Sequence, residues 1–308
     1  MSELYDAIVV GGGAAGLSAA LILGRSCRRV LLCDDGRPRN AVVDRMHGFL
    51  SRDGTPPHDL LELGRRELSR YASITLLQTH IEEARGEQAH FRVRNNDCVW
   101  FTGRRLLLAT GVYDSLPQIP GLRERWGKTV FVCPYCDGWE LRGKRIAVIG
   151  KGRKAVELAQ ELRQWSEDLI VCPAQSDELT QPDRRWLRAS RVSVRFSPVV
   201  SIAPDEGAAQ SIVFEDGARE PCDAVFLCAP LRQRYPLVDM LGCRVRDDGQ
   251  IDVDGRGRTS VPGCYAAGDA VTTIHQVVLA AASGVSAAMG INEDLLAEEV
   301  EAAIRNIS

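Results

Sequence analysis

The stretch AIVVGGGAAG, residues 7–16, decides the fold. Its apolar residues predict a buried strand, and the glycines after them have the spacing G-x-G-x-x-G at Gly11, Gly13 and Gly16. The small-residue segment LSAALIL that follows predicts a helix, and RVLLCD predicts a second strand that ends at Asp34. This order of strand, glycine turn, helix, strand and acid is typical of a dinucleotide-binding unit.

Each position in this unit has a physical reason. Gly11 permits the sharp turn, Gly13 lets a pyrophosphate approach the backbone, and Gly16 allows the helix to pack closely on the sheet. The helix N-terminus faces the phosphates, and the carboxylate of Asp34 is placed to accept a hydrogen bond from a ribose hydroxyl. The first nucleotide site is therefore expected at Gly11, Gly13, Ala14, Ala15, Gly16 and Asp34.

A second unit of the same kind begins at KRIAVIGKGRKA, residues 144–155. An apolar strand is again followed by a glycine turn, here in the pattern G-x-G-x-x-A, by a helix to about Trp165 and by the strand DLIVC, residues 168–172. A second dinucleotide site is expected at Gly150, Gly152, Arg153 and Lys154.

Two such units in one chain predict an α/β fold of two nested Rossmann-like dinucleotide-binding domains. The prolines after residue 115 mark a crossing between the domains, and the chain is expected to return to the first domain after residue 245. The predicted domains are thus residues 1–115 with 246–308, and an inserted domain at 116–245. We further expect an amphipathic helix over 60–71, and an alanine-rich helix over 276–292 followed by a separate surface helix.

Bulk composition excludes several classes of protein. The chain has 308 residues, 45% of them hydrophobic, a formal net charge of −3 and a pI near 6.0, which argues against a nucleic-acid or membrane surface. No stretch approaches the ~20 uninterrupted apolar residues of a membrane span. The N-terminus lacks the basic and apolar regions of a signal peptide, so a cytoplasmic location is expected.

The segment VCPYCDGWE, residues 132–140, places Cys133 and Cys136 two residues apart. Zinc would need a second ligand pair, which the sequence does not offer at the required spacing, so no metal site is expected. A purely structural disulfide is disfavoured in a reducing cytoplasm. A redox-active pair fits best.

The order of the motifs resembles a known family. G-x-G-x-x-G at residue 11, ATG at 109–111, CxxCDG at 133–138, G-x-G-x-x-A at 150 and AGD at 267–269 match the low-molecular-weight thioredoxin reductases over essentially the whole chain. The resemblance implies an FAD domain split in sequence and an inserted pyridine-nucleotide-type domain that carries the dithiol. It also implies a homodimer that acts on a disulfide or dithiol substrate, either a small protein or a small molecule.

Further site residues follow from the resemblance alone. It implies that Cys136 is the sulfur beside the flavin and that Cys133 meets the substrate. Asp137 is then the acid–base group that moves a proton to or from the thiols, although a helix-cap carboxylate is the alternative for that residue. Asn40 and His47 would lie in a loop against the flavin. For His47, a histidine that only forms hydrogen bonds within its loop is an equally good interpretation. The remaining contacts to FAD would come from Ala109, Thr110, Gly111, Gly268, Asp269, Gln276 and Val277.

The electron donor is where the chain departs from this family. Members that use NADPH carry H-R-R-x-x-x-R after the second strand of the inserted domain, whereas this chain reads VCPAQSD at residues 171–177. Each guanidinium–phosphate bond lost removes roughly 1.5–3 kcal/mol. We therefore expect poor use of NADPH, unless Arg184, Arg185 or Arg188 replaces the missing cluster. The basic loop at Lys151 to Lys154 could instead hold the pyrophosphate of another dinucleotide, FAD included.

The CPYCxGWE motif and the segment MHGFLSRDG, residues 46–54, resemble a side branch of the family. That branch includes dithiol oxidases, which pass electrons to oxygen, and the diflavin-linked disulfide oxidoreductases of cyanobacteria. The sequence thus predicts an FAD-dependent thiol–disulfide oxidoreductase whose donor is another flavin, a ferredoxin or a similar protein. The alternatives are an NADPH-dependent thioredoxin reductase, a dithiol oxidase, for which Asp137 stands where histidine is usual, and a non-catalytic flavoprotein redox sensor.

Overall fold

A computed structural model describes residues 4–87, 90–173 and 179–306. Its α-helices are α1 Ala14–Arg25, α2 Pro57–Leu68, α3 Pro134–Asp137, α4 Gly152–Leu162, α5 Gln181–Ala189, α6 Leu237–Leu241 and α7 Val277–Arg305. Its strands are β1 Leu4–Val10, β2 Val30–Asp34, β3 Ile74–Gln78, β4 Ile81–Glu87, β5 His90–Asn95, β6 Trp100–Leu108, β7 Val112–Asp114, β8 Val130–Phe131, β9 Ile146–Ile149, β10 Leu169–Cys172, β11 Ser193–Val194, β12 Val199–Ala203, β13 Gln210–Phe214, β14 Arg219–Cys222, β15 Ala224–Leu227, β16 Leu231–Gln233 and β17 Cys264–Ala266.

The first sheet has the strand order β3-β2-β1-β6-β5-β4, with β17 pairing beside the C-terminal half of β6. Strands β1, β2, β3, β6 and β17 are parallel, and β4 and β5 run antiparallel at the far edge. Side chains alternate across β1 as a strand requires. Ala7 and Val9 face a core shared with α1 and α7, and Ile8 and Val10 face the core on the other side.

The second sheet has the order β11-β10-β9-β15-β8 and is parallel throughout. Helix α4 packs on one face, where Ala155, Val156 and Ala159 join the core. The antiparallel sheet β12-β13-β14 covers the other face. The predicted α/β fold of two Rossmann-like units is confirmed. Both units place a glycine turn and a helix N-terminus at the carboxyl ends of parallel strands, where ligands bind in such folds.

The two connections between these sheets run side by side, because β7 pairs with β16 in an antiparallel ribbon. Leu237, Val238 and Cys243 are then buried in the same core as Ile8 and Val10 of β1. The chain has therefore rejoined the first core before residue 246, the return point expected from the sequence. The earlier return is stabilised by packing, because Leu237 and Val238 of α6 are buried with Ile81 and Ala84 of β4.

Two helices differ from their expected bounds. Helix α2 begins at Pro57, three residues before the expected start, because proline is well accommodated in a first helical turn. Helix α7 is a single helix of 29 residues rather than two helices. Its charged second half stays attached to the body through ion pairs, among them Asp294 with Arg258 at 2.6 Å. None of the helices in the described ranges is both long and apolar enough to cross a membrane.

Candidate active site

One cavity of about 1520 Å³ joins both glycine turns to the dithiol. Sites for one small molecule commonly have ~300–1,000 Å³, so this volume exceeds what a single small ligand requires. Among the described residues, the predicted site residues that line it are Gly11, Gly13, Ala14, Ala15, Asp34, Asn40, His47, Ala109, Thr110, Gly111, Cys133, Cys136, Asp137, Gly150, Gly152, Arg153, Lys154, Gly268, Asp269, Gln276 and Val277. Gly16 is the exception and lies behind the first turn.

The first glycine turn is shaped by close approaches of the backbone. Gly11 has φ +108°, and a Cβ there would lie 2.2 Å from the carbonyl oxygen of Ala109. A Cβ on Gly16 would lie 1.8 Å from the carbonyl oxygen of Gly11. Position 16 therefore requires glycine for packing, although Gly16 does not line the cavity. A Cβ on Gly13 would meet no protein atom within 4 Å. The turn therefore leaves open space at the N-terminus of α1, and this cradle fits the pyrophosphate of the expected FAD.

Asp34 closes this cradle at the end of β2. Its Oδ1 accepts hydrogen bonds from the backbone N–H of Gly12 at 3.1 Å and of Gly36 at 3.2 Å. Its Oδ2 accepts a hydrogen bond from the guanidinium of Arg65 at 2.9 Å. The sequence analysis did not identify Arg65, which reaches the carboxylate from α2. A ribose hydroxyl would share Asp34 with these donors.

A second charged cluster, missed by the sequence analysis, lies at the other side of the cavity. Arg39 makes a bidentate ion pair with Asp114, in which Nη2 donates to Oδ1 at 2.6 Å and Nε donates to Oδ2 at 2.7 Å. Its Nη1 lies 3.5 Å from Oδ2 of Asp269. The Asp114 side chain is only 6% exposed, so the guanidinium of Arg39 compensates its removal from water. The arginine thus positions Asp269 and the loop that carries Asn40. The only sequence signal was the basic run RPRN after the acid of β2.

The dithiol sits on the short helix α3. Cys133 precedes its first turn and forms a disulfide with Cys136. The backbone N–H groups of Cys136 and Asp137 both donate to the carbonyl oxygen of Cys133, at 3.2 Å each. From the opposite side, Nε2 of Gln276 donates to the sulfur of Cys136 at 3.5 Å and to that of Cys133 at 3.8 Å. Gln276 immediately precedes α7, so the first unit holds the dithiol of the second.

Asp137 has the environment of an acid–base group. Burial and the negative charge of Glu140 raise its pKa from 3.8 to about 7, and the charge of His47 opposes that shift. Nε2 of His47 lies 3.8 Å from Glu140, and its Nδ1 lies 3.4 Å from Asp53. The structure thus brings His47 beside the dithiol helix, in contact with carboxylates. Glu140 was not identified from the sequence as a site residue, although it belongs to the same nine-residue segment.

The second glycine turn carries an unusual concentration of positive charge. Lys151, Arg153 and Lys154 lie at the N-terminus of α4, whose first turn contains no acidic residue. Cations are unfavourable beside the positive end of a helix dipole, so an anion there would relieve the repulsion. Arg153 is paired with Glu157 at 2.7 Å, and Glu157 itself lines the cavity. This pairing lowers the charge left for a phosphate.

The structure bears only in part on the missing NADPH cluster. Of the segment 171–177, Ala174 to Asp177 lie outside the described residues. Arg184, Arg185 and Arg188 belong to α5, and none of the three is among the described residues that line the cavity.

Comparisons with known proteins agree with this architecture. A family model described as pyridine nucleotide-disulphide oxidoreductase matches residues 5–284. Thioredoxin reductase tcpT of Claviceps purpurea is 31% identical over 317 residues, which cover 96% of both chains. The crystal structure of HlmI has 40% sequence identity and a TM-score of 0.92, covering 98% of this chain and 96% of that one. That of a putative thioredoxin reductase TrxB from Bacillus anthracis has 30% identity and a TM-score of 0.90, covering 96% and 99%.

These relatives confirm the resemblance stated from the motifs, and they favour an enzyme over a non-catalytic sensor. The agreement extends over both glycine turns and the segment that carries the dithiol. The chain therefore belongs to the pyridine nucleotide-disulphide oxidoreductase family, as a thioredoxin-reductase-like flavin-dependent disulfide oxidoreductase.

Proposed function

We propose that this protein is an FAD-dependent thiol–disulfide oxidoreductase whose redox pair is Cys133 and Cys136 and which is not driven by NADPH. The observation that carries the proposal is the shared cavity, which joins the dithiol to the first glycine turn. Gln276, at the start of α7, hydrogen-bonds both sulfurs from the side of the first unit. The dithiol is thus held where a nucleotide cofactor bound to the first unit would meet it.

The residues that would hold FAD follow from the cavity. The turn at Gly11 to Gly16 would take the pyrophosphate, and Asp34 a ribose hydroxyl. Asp269, held by Arg39, would accept hydrogen bonds from the ribityl or pyrophosphate region. Ala109 to Gly111 would pass beside the cofactor, and Asn40, His47, Gly268, Gln276 and Val277 complete the wall. When bound, FAD supplies a two-electron carrier next to the dithiol.

The side chains of the dithiol segment perform the exchange with substrate. Asp137, ionised above pH 7, removes a proton from a substrate thiol. The resulting thiolate attacks the sulfur of Cys133, breaking its bond to Cys136, which leaves as a thiolate. The second substrate thiol then attacks the mixed disulfide, releasing the substrate disulfide and Cys133 as a thiol. In the opposite direction the same steps reduce a substrate disulfide, and Asp137 returns the proton.

The proposed independence from NADPH is supported by charge. The sequence after β10 has no arginine through residue 177, and the arginines of α5 do not line the cavity in the described part of the chain. Glu157 and Glu161 do line it, so a ribose 2′-phosphate would share the cavity with carboxylates. The basic turn at Lys151 to Lys154 still suits a pyrophosphate. A second FAD or another dinucleotide, or a flavoprotein or ferredoxin, is therefore the proposed donor.

The test is rapid anaerobic mixing of the flavin-loaded protein with NADPH. We expect the flavin absorbance to stay oxidised with NADPH and to bleach with dithiothreitol. Rapid bleaching by NADPH would overturn the assignment of the donor. Extraction of bound cofactor tests the second site: two flavins per chain support a diflavin enzyme, and nicotinamide in the extract contradicts it. Oxygen consumption during dithiol turnover would mark the oxidase alternative.

A homodimer is proposed on the family resemblance and on the surface of α7. Met289, Leu296 and Val300 of that helix are 46–57% exposed, and their spacing of seven and four residues places them along one face of the helix. Light scattering coupled to gel filtration should give twice the chain mass of 33.8 kDa. A single-chain mass at micromolar concentration contradicts the dimer and leaves the redox chemistry unaffected.

A further inference from the structure

A second pair of cysteines lies close together, away from the cavity. The sulfurs of Cys243 and Cys264 are 3.8 Å apart in the core beside β1. Cys243 follows α6, and Cys264 is the first residue of β17. Both side chains are buried, and neither residue is among the described residues that line the cavity. The proposed catalytic exchange does not use this pair.

Backbone hydrogen bonds hold the two cysteines face to face. The N–H of Cys243 donates to the carbonyl oxygen of Val238 at 3.0 Å, which fixes it to the end of α6. Next to it, the N–H of Arg244 donates to Oγ of Ser260 at 2.8 Å. The N–H of Thr259 donates to the carbonyl oxygen of Cys264 at 3.0 Å. These hydrogen bonds hold the backbone on both sides of the contact between the two sulfurs.

The pair is electrostatically unequal. The hydrogen bond from Cys264 lowers the pKa of the Cys243 thiol below its usual value, against the effect of burial. The thiol of Cys243 donates to Oγ1 of Thr259, 3.6 Å away, and this contact also lowers the pKa of Cys243. The same contact and burial raise the pKa of Cys264, which stays the proton donor. By contrast, burial raises the pKa of Cys33, in the same core, to about 12. Cys243 is therefore the better nucleophile of the two, and Cys264 would act as the resolving thiol.

We propose that Cys243 and Cys264 form a second oxidisable dithiol, which hydrogen peroxide converts into a disulfide. The thiolate of Cys243 attacks one peroxide oxygen, the O–O bond breaks, and the leaving hydroxide takes a proton to become water. The sulfur of Cys264 then attacks the sulfenic acid, forming the S–S bond, and its own proton leaves with the hydroxyl as a second water. Two thiols are oxidised by two electrons and one peroxide is reduced to two waters.

The geometry needs little rearrangement. A disulfide requires the sulfurs to approach from 3.8 Å to about 2.05 Å. The new bond would join the segment that returns from the second sheet to β17. That strand leads directly to Gly268 and Asp269, the proposed contacts to FAD. Oxidation would therefore tie the return connection to the base of the flavin site.

Mass spectrometry of the full-length protein tests this directly. Arginines separate the two cysteines, so trypsin releases Cys243 in residues 235–244 and Cys264 in residues 259–305. After treatment with hydrogen peroxide and alkylation of free thiols, we expect these two peptides to be linked, at a mass lower by two hydrogen atoms than their sum. Dithiothreitol should separate them. Two alkylated, unlinked peptides, or a stable sulfinic acid on Cys243, would overturn the proposal.

Variants test the identity of the pair. Cys243→Ala and Cys264→Ala should each abolish the linked peptide. Cys33→Ala is the matched control, because Cys33 is equally buried in that core, and it should leave the linkage unchanged. A linked peptide that joins Cys243 to any cysteine other than Cys264 in the wild-type protein would contradict the assignment. The wild-type experiment decides the question even where a variant folds poorly.

Discussion

Replacement of Asp137 by asparagine tests the proposed proton transfer. The rise of its pKa from 3.8 to about 7 corresponds to a penalty of about 4 kcal/mol on the ionised carboxylate in the folded state. Asparagine keeps the shape of the side chain and loses both the proton and the charge. Removal of a general acid–base group typically costs 10²–10⁴-fold in rate, so we expect at least a ~100-fold loss above pH 7.

The assay is anaerobic stopped-flow reduction of the flavin-loaded protein by dithiothreitol. The rate of the wild-type protein is divided by that of the Asp137→Asn variant at each pH, because this ratio cancels the ionisation of the reagent. The ratio should rise with pH and reach half of its maximum at about pH 7. A ratio that is flat, or whose midpoint lies near pH 4, would refute the role assigned to this carboxyl.

Two neighbours sharpen the test. Glu140→Gln removes a negative charge that raises the pKa of Asp137, so the midpoint should fall below 7. His47→Gln removes a positive charge that lowers that pKa, so the midpoint should rise. Both shifts should occur without the large loss of rate seen for Asp137→Asn. Midpoints that do not move in either variant would show that these charges do not reach the carboxyl.

The same shift predicts a dependence of stability on pH. Because the folded-state pKa of Asp137 is raised, its favourable contribution is complete below about pH 4 and is lost as the pH rises through about 7. The asparagine variant avoids this loss, so it should be more stable than the wild-type protein at pH 8, by up to about 4 kcal/mol, and equal to it near pH 3. Urea unfolding at both pH values measures the difference, and a variant that is less stable at pH 8 contradicts the assigned burial.

Two further substitutions test the walls of the cavity. Arg39→Leu leaves Asp114 buried and unpaired, so it should lower the free energy of unfolding by about 3 kcal/mol. In the control Arg37→Ala, which removes an exposed side chain, the free energy of unfolding should stay within about 0.5 kcal/mol of the wild-type value. Equal urea midpoints for the two variants would contradict this expectation. The added methyl group of Gly13→Ala would meet no protein atom within 4 Å, so the thermal midpoint of this variant should stay close to that of the control Gly255→Ala. The Gly13→Ala variant should nevertheless retain far less flavin after gel filtration than the control. Normal flavin content would show that the pyrophosphate does not pass over Gly13.

Much of the fold could be predicted from the sequence because its signals are local. The apolar run before Gly11 and the acid at Asp34 lie within one strand–helix–strand unit, where spacing alone fixes the order of the elements. The dithiol and Asp137 could be proposed as site residues for the same reason, since they lie within one short segment. These features need no knowledge of which distant segments meet.

The features that the sequence analysis missed depend on distant contacts. Arg39 meets Asp114 and Asp269, which lie 75 and 230 residues away along the chain, and no spacing rule connects them. Glu140 gains its place in the site from His47, on a loop of the first unit. The early return of the chain near Leu237 likewise follows from packing against β1 and β4, which a pattern of prolines and apolar runs does not encode.

The central claim is that the disulfide of Cys133 and Cys136 exchanges electrons with the flavin. Anaerobic titration of the flavin-loaded protein with dithionite tests it most directly. We expect the wild-type protein to take up two electron pairs per chain with one flavin, one by the flavin and one by the disulfide. The Cys133→Ser variant should take up one pair fewer. Equal uptake by the two proteins would contradict the claim.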